Sequence, residues 1–180
     1  ARQETPAAQG DVDLMRTALA AALKELRQIS SGLRLPELET MSLGDAVERA
    51  VQEHRAKTGD EVRVAIAPGV GSVSLPVKIA LYRVTQEALN NAHLHAGVTE
   101  EDVDLRIAGR TVHLEVRDKG AGLDEAAGAA AQSLDRIPLG VRGMRERIEM
   151  LGGSLEVSSR TGEGTVVRVV LSLPPEDAGG

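Results

Sequence analysis

A chain of 180 residues with one Tyr and no Phe, Trp or Cys has to fill its core with Val, Leu, Ile and Ala. The spacing of those residues is therefore the main guide to the fold. The lack of aromatic rings also removes the stacking platforms that single-stranded nucleic acid needs. A net charge of -6 argues in the same direction, so no direct nucleic-acid binding is expected. Without Cys there are no disulfides, thiolate metal sites or thiol catalysis, which fits a reducing, cytoplasmic compartment. With 42% apolar residues the chain is globular rather than disordered. No apolar run approaches the roughly 20 residues that span a bilayer. The start, Ala1 to Pro6, is no signal peptide, and the missing initiator Met suggests a part of a longer protein.

Residues 1–10 are small and polar and are expected to be a disordered terminus. From Asp11 to Leu35, Leu19, Leu23, Leu26, Ile29 and Leu33 recur every three or four residues, giving a helix with one apolar stripe. Pro36 ends that run. Ser42 and Asp45 form a capping box for a helix to about Thr58, closed by Gly59. Val62, Val64 and Ile66 alternate as in a strand, followed by a turn at Pro68 and Gly69. Pro76 suits the first position of a long helix reaching about Ala96. Val103, Leu105 and Ile107, then Val112, Leu114 and Val116, make a hairpin around Gly109 and Arg110. Residues 119–139 have no clear period and read as a lid. A helix from Gly140 to Leu151 and two strands, around Leu155 to Val157 and Thr165 to Leu173, complete the order. The expected fold is an α/β (α+β) sandwich: a mixed, mostly antiparallel sheet covered on one face by helices and preceded by one long helix. The domain limits are 11–36 for the first helix, 37–175 for the sandwich and 176–180 for a tail.

Several polar residues are not explained by local structure. On the helix from Pro76, Glu87 and Asn91 are four apart and share a face at the edge of the stripe of Val77, Leu81, Val84, Ala88 and Ala92. They offer hard oxygen ligands suited to magnesium, and they fit a solvated helix edge as well. Asp118 either turns out into the following loop as a strand-end residue or continues the inward series of Val112, Leu114 and Val116, and a buried carboxylate needs a donor. The exocyclic amine of a purine would serve. Gly120 and Gly122 let the backbone come close to a ligand. Gly140 and Gly143 open a helix whose free N–H groups make an anion site, with Arg142, Arg145 and Arg147 nearby, and the outward Arg residues fit a surface helix paired to Glu146 and Glu149. Thr165 is in phase with Val167, Val169 and Leu171, so its hydroxyl faces inward, where Asp118, a ligand or the local backbone can satisfy it. The four His residues, His54, His93, His95 and His113, read as surface or structural.

The order of these boxes resembles the GHKL ATP-binding superfamily. Gln86-Glu-Ala-Leu-Asn-Asn91 and Leu139-Gly-Val-Arg-Gly-Met-Arg-Glu-Arg147 are similar to the NarX/DesK-type sensor histidine kinases, and Thr161-Gly-Glu-Gly-Thr165 to their last glycine box. The resemblance runs from about Leu19 to Leu173. It implies the GHKL (Bergerat) fold and ATP and Mg2+ as ligands. Asn91 would hold the metal with Glu87, Glu87 would orient or activate the attacking group, and Asn90 would assist. Asp118 would read adenine, with Gly120 and Gly122 in its box and Thr165 beside the base. Gly140, Val141 and Gly143 would close over the phosphates. The helix of residues 11–36 would be the second helix of the dimerisation and phosphotransfer hairpin.

The sequence departs from that pattern in three places. Leu94 stands where a Lys or Arg is frequent, and Pro138 where a Gly is frequent. The helix with the phosphoacceptor His does not appear. The resemblance implies the catalytic ATP-binding portion of a protein histidine kinase, a homodimer when intact, whose parent is either membrane-anchored or soluble. The phosphate would pass to a response-regulator receiver domain. The alternatives are a degenerate, non-catalytic module serving dimerisation or partner binding, and an anti-sigma-type Ser kinase.

Overall fold

The computed structural model describes residues 35–68, 73–96, 100–121 and 139–174. The chain divides into two units, Ala1–Pro36 and Glu37–Gly180, and the sheet with the helices packed on it belongs to the second. The expected first helix, both termini, most of the lid, Gly122 and Pro138 lie outside the described residues.

The described elements are α1 (Leu35–Thr40), α2 (Leu43–Thr58), β1 (Glu61–Ile66), α3 (Leu75–Asn91), a π-helical turn (Ala92–Ala96), β2 (Glu100–Ala108), β3 (Thr111–Asp118), α4 (Leu139–Glu149), β4 (Ser154–Arg160) and β5 (Gly164–Ser172). Pro36 opens a short helix here instead of only ending one. Proline is tolerated in a first helical turn, where its missing N–H has no intrahelical partner to lose. The Ser42 side chain accepts from the Asp45 N–H while the Asp45 carboxylate accepts from the Ser42 N–H, so α2 starts on a complete capping box.

The sheet order is β1-β2-β3-β5-β4. β1 and β2 run parallel, and every other pair is antiparallel. Parallel neighbours need a crossover connection, and α3 supplies it. That connection lays the helix carrying Glu87, Asn90 and Asn91 along the sheet. Burial alternates cleanly on the central strands. Val103 and Leu105 of β2, Val112, Leu114 and Val116 of β3, and Val167, Val169 and Leu171 of β5 are all buried. They pack with Leu43, Val47 and Val51 of α2, Leu81 and Val84 of α3, and Met144 and Ile148 of α4 in one core. The opposite face is polar, with Arg168 donating to Glu115 at 2.7 Å across β5 and β3. One face of the mixed sheet is thus helix-covered, as the alternation in the sequence indicates.

Two buried polar contacts fix α3. Lys78 is 3% exposed, and its Nζ donates to the carbonyls of Glu39 and Met41, each at 2.8 Å. It thereby satisfies orphan carbonyls at the end of α1. Tyr82 donates to Glu53 Oε2 at 2.6 Å and accepts from Gln86 Nε2 at 2.8 Å, joining α3 to α2.

Candidate nucleotide site

Asp118 ends β3, and its inward phase leaves it only 6% exposed. Burying an ionised carboxylate costs several kcal/mol unless it is hydrogen-bonded. Two backbone donors meet that cost: the N–H of Gly120 at 2.8 Å and the N–H of Thr165 at 3.2 Å, both to Oδ1. Oδ2 accepts no hydrogen bond from the described residues. A carboxylate held this way keeps Oδ2 unshared among the described residues. It suits recognition of an N–H donor such as a purine amine.

The turn between β4 and β5 closes over this carboxylate. Gly164 has φ 80°, a left-handed conformation. A methyl group on its Cα would lie 2.0 Å from the Asp118 carbonyl oxygen and 3.0 Å from Oδ1. The Gly162 N–H donates to the Ala121 carbonyl at 2.7 Å, tying the same turn to the segment after β3. Thr165 reaches Asp118 through its backbone. Its hydroxyl pairs with Ser159 Oγ at 3.0 Å instead. The cause is that Thr165 is only the second residue of β5, where the strand is leaving the tight turn.

A second grouping brings α3 to α4. Glu87 is half-buried, and a methyl group on Gly140 would fall 2.2 Å from its Oε1. Only a residue without a side chain fits at that point while the Glu87 carboxylate keeps its place. Asn90 and Asn91, one turn further on, are half-buried too, and Asn90 Nδ2 is buried with no hydrogen-bond partner among the described residues. Buried polar atoms are normally satisfied, so an orphan donor in a helix that also presents Glu87 and Asn91 fits a polar ligand. Val141 packs against the core, and Arg147 Nη1 donates to the Gly143 carbonyl at 3.4 Å. Arg142 pairs with Glu146 at 2.8 Å on the exposed side of α4. The described structure thus joins Asp118, Gly120 and Thr165 in one cluster and Glu87 with Gly140 in another. Gly122 is outside it.

Periodicity along the chain does not single out Gly164 as an individual position, although its motif is visible. Nor does it single out His54, Asp60, His93 and Glu101 as a group, and these form a separate polar cluster. Glu101 is 1% exposed, and burial followed by the Asp60 and Asp118 carboxylates pushes its carboxyl up to about 8. Burial lowers the His54 imidazole below its usual range despite Asp60 beside it. Burial acts to raise Asp60, and hydrogen bonds from His93 and Thr58 together with the charge of the two nearby imidazoles outweigh it and hold the carboxyl low. Two signals could have found the cluster. His54 extends the stripe of Leu43, Val47 and Val51, and Glu101 is in phase with Val103 and Leu105.

Residues 76–175 match the family described as histidine kinase-, DNA gyrase B-, and HSP90-like ATPase. The chain belongs to that family. It carries the family's ATP-binding domain. The sensor histidine kinase MctS of Rhizobium johnstonii is 34% identical over 142 residues, 79% of this chain and 30% of that protein. The sensor histidine kinase LiaS of Bacillus subtilis is 29% identical over 161 residues, 88% of this chain and 42% of that protein. The histidine-protein kinase/phosphatase DegS of Brevibacillus brevis is 26% identical over 163 residues, 91% of this chain and 41% of that protein. The chain therefore spans less than half the length of these relatives. Among solved structures, the blue-light activated histidine kinase of Erythrobacter litoralis EL346 superposes with a TM-score of 0.65 at 19% identity, covering 96% of this chain and 62% of that one. The histidine kinase domain of the same protein gives 0.60 at 24% identity, covering 75% and 63%. These agree with the mixed five-stranded sheet and its helices. Among the described residues, no helix is long and apolar enough to cross a membrane.

Proposed function

We propose that this chain is the catalytic ATP-binding portion of a two-component sensor histidine kinase. It binds ATP with Mg2+ and delivers the γ-phosphate to a His on a helix of the intact protein, for relay to an Asp of a response-regulator receiver domain. The observation that carries the reading is the buried Asp118 carboxylate, with Oδ1 occupied by two backbone donors and Oδ2 unshared among the described residues, which suits a base amine. Asn91 and Glu87 supply oxygen ligands of the kind magnesium takes alongside phosphate. The Glu87 carboxylate lies against the start of α4 at Gly140, and that position supports a role in orienting the acceptor. Catalysis in such a site is positioning plus charge stabilisation. Dimerisation, cytoplasmic location of this domain and any membrane anchor belong to the intact protein under this reading.

One observation favours a second reading, a binding module that no longer transfers phosphate. Leu94 is 59% exposed at the position where the resemblance implies a basic residue. Titration with a fluorescent ATP analogue, with and without Mg2+, separates the two. Saturable Mg2+-dependent binding is expected, and Asp118→Ala is expected to weaken it by about 10- to 100-fold, the worth of a hydrogen bond to a charged group. Asn91→Ala is expected to remove the Mg2+ dependence. Unchanged affinity in Asp118→Ala overturns the base-recognition role. Binding that never depends on Mg2+ favours the non-catalytic module.

A further inference from the structure

The polar cluster behind β2 shares none of the residues proposed to hold the nucleotide, and its chemistry points elsewhere. His54 comes from the last turns of α2, Asp60 follows the Gly59 cap, and Glu101 lies on β2. All three are buried, at 8%, 5% and 1% exposure. One ligand atom from each lies within 4.8 Å of the others. His54 Nε2 is 3.3 Å from Asp60 Oδ2 and 3.1 Å from Glu101 Oε2. Among the described residues, neither His54 Nε2 nor either Glu101 oxygen has a hydrogen-bond partner. Two carboxylates and an imidazole packed together out of water, with unpaired atoms, form an arrangement that a cation would complete.

We propose that His54, Asp60 and Glu101 form a binding site for a divalent transition metal of the zinc class. Bonds of about 2.0–2.2 Å in tetrahedral geometry set neighbouring ligand atoms roughly 3.3–3.6 Å apart, close to the two His54 distances. An imidazole with two carboxylates selects Zn2+ and its first-row neighbours over Mg2+, which takes oxygen alone. Three protein ligands leave the fourth position to water. A supporting partner is also present: His93 Nδ1 lies 2.7 Å from Asp60 Oδ2, while the Asp60 backbone N–H donates to Thr58 Oγ1 at 3.1 Å and fixes the main chain that carries the carboxylate. Such outer partners orient ligating carboxylates. His93 comes from the π-helical turn directly after Asn90 and Asn91. The metal therefore ties the end of the nucleotide-facing helix to β1 and β2. Glu101 also lies directly across from Asp118 in the β2–β3 register.

The test is metal binding by the full chain, first stripped with a chelator. Equilibrium dialysis with Zn2+ should give one saturable equivalent, and Co2+ should give the intense visible absorption of a tetrahedral site. Glu101→Gln should weaken Zn2+ binding by more than the roughly tenfold expected from losing an outer-shell partner, and His93→Ala by about that tenfold. His113→Ala, on the polar face of the sheet, should change nothing. If Glu101→Gln does not fold, the native Co2+ spectrum decides alone: a pale, six-coordinate spectrum overturns the site. So does the absence of a saturable equivalent, or Zn2+ affinity unchanged in a folded Glu101→Gln.

Discussion

Gly164 stands so close to Asp118 that any side chain at position 164 would collide with main-chain atoms of the aspartate. The contact is backbone against backbone, so no rotamer change relieves it. The φ of 80° at Gly164 adds its own penalty for an L-residue. Gly164→Ala is expected to lose about 2 kcal/mol or more of stability in urea unfolding, and to weaken binding of a fluorescent ATP analogue. Gly162→Ala makes a useful contrast. Gly162 also has positive φ, 78°, but nothing lies within 4 Å of its absent side chain. That variant should lose about 1 kcal/mol with binding little changed. Equal effects of the two substitutions would show that the close approach to Asp118 is unimportant.

Glu87 and Gly140 predict a coupling of the opposite sort, because the atom in the way is the end of a flexible side chain. Gly140→Ala alone should be close to neutral in stability, since better helix propensity offsets displacement of the carboxylate. In a Glu87→Ala background the same change should stabilise. A double-mutant cycle by urea denaturation is expected to give an interaction of about 0.5 kcal/mol or more. Strict additivity would mean that the two residues do not share space.

How far the sequence discloses this site depends on the range of the interaction. Alternation along β2, β3 and β5 marks the inward faces, and so the burial of Asp118. The capping box at Ser42 and Asp45 is readable because it is local. The contact of Gly164 with Asp118 joins residues far apart in the chain, and no periodicity encodes it. The helix from Pro76 shows the same limit. Its apolar pattern runs on to about Ala96, yet the α-helix ends at Asn91 and widens into a π-helical turn over Ala92–Ala96. Such turns recur at functional sites. Here the turn presents His93 to Asp60, a partner that no pattern within the helix could reveal. Thr165 shows how phase can mislead at a strand end, where its backbone, not its hydroxyl, meets the carboxylate.

Tyr82 offers a spectroscopic prediction, because it is the chain's one Tyr and there is no Trp. Burial, then the Glu53 carboxylate that accepts its proton, raises the phenol well above its usual range. The folded state thus holds that proton more tightly than the unfolded chain, whose phenol titrates at roughly 10. The stabilisation is complete below that pH and falls away as pH rises above it. Phenolate absorption should appear only together with loss of the far-ultraviolet dichroism. Tyr82→Phe should cost about 1–2 kcal/mol in urea unfolding by leaving Glu53 and Gln86 without that hydroxyl. Free titration of the phenol in the folded chain would contradict the buried hydrogen bond.

Leu94 bears on whether the domain retains catalytic strength. It follows His93 in the π-helical turn and is 59% exposed, so the position tolerates a long charged side chain without repacking the core. If the turn faces the triphosphate, as the resemblance to sensor kinases implies, Leu94→Lys adds a cation near a polyanion. A partly exposed charge pair is worth up to about 1 kcal/mol, a several-fold change in affinity. ATP should therefore bind Leu94→Lys several-fold more tightly, with a smaller gain for ADP and with folding stability unchanged. Raising the salt concentration should shrink the gain, because an exposed pair is screened. Equal affinities for the native and Lys forms at low salt would place position 94 away from the phosphates, and the departure at this residue would then carry no penalty for the domain.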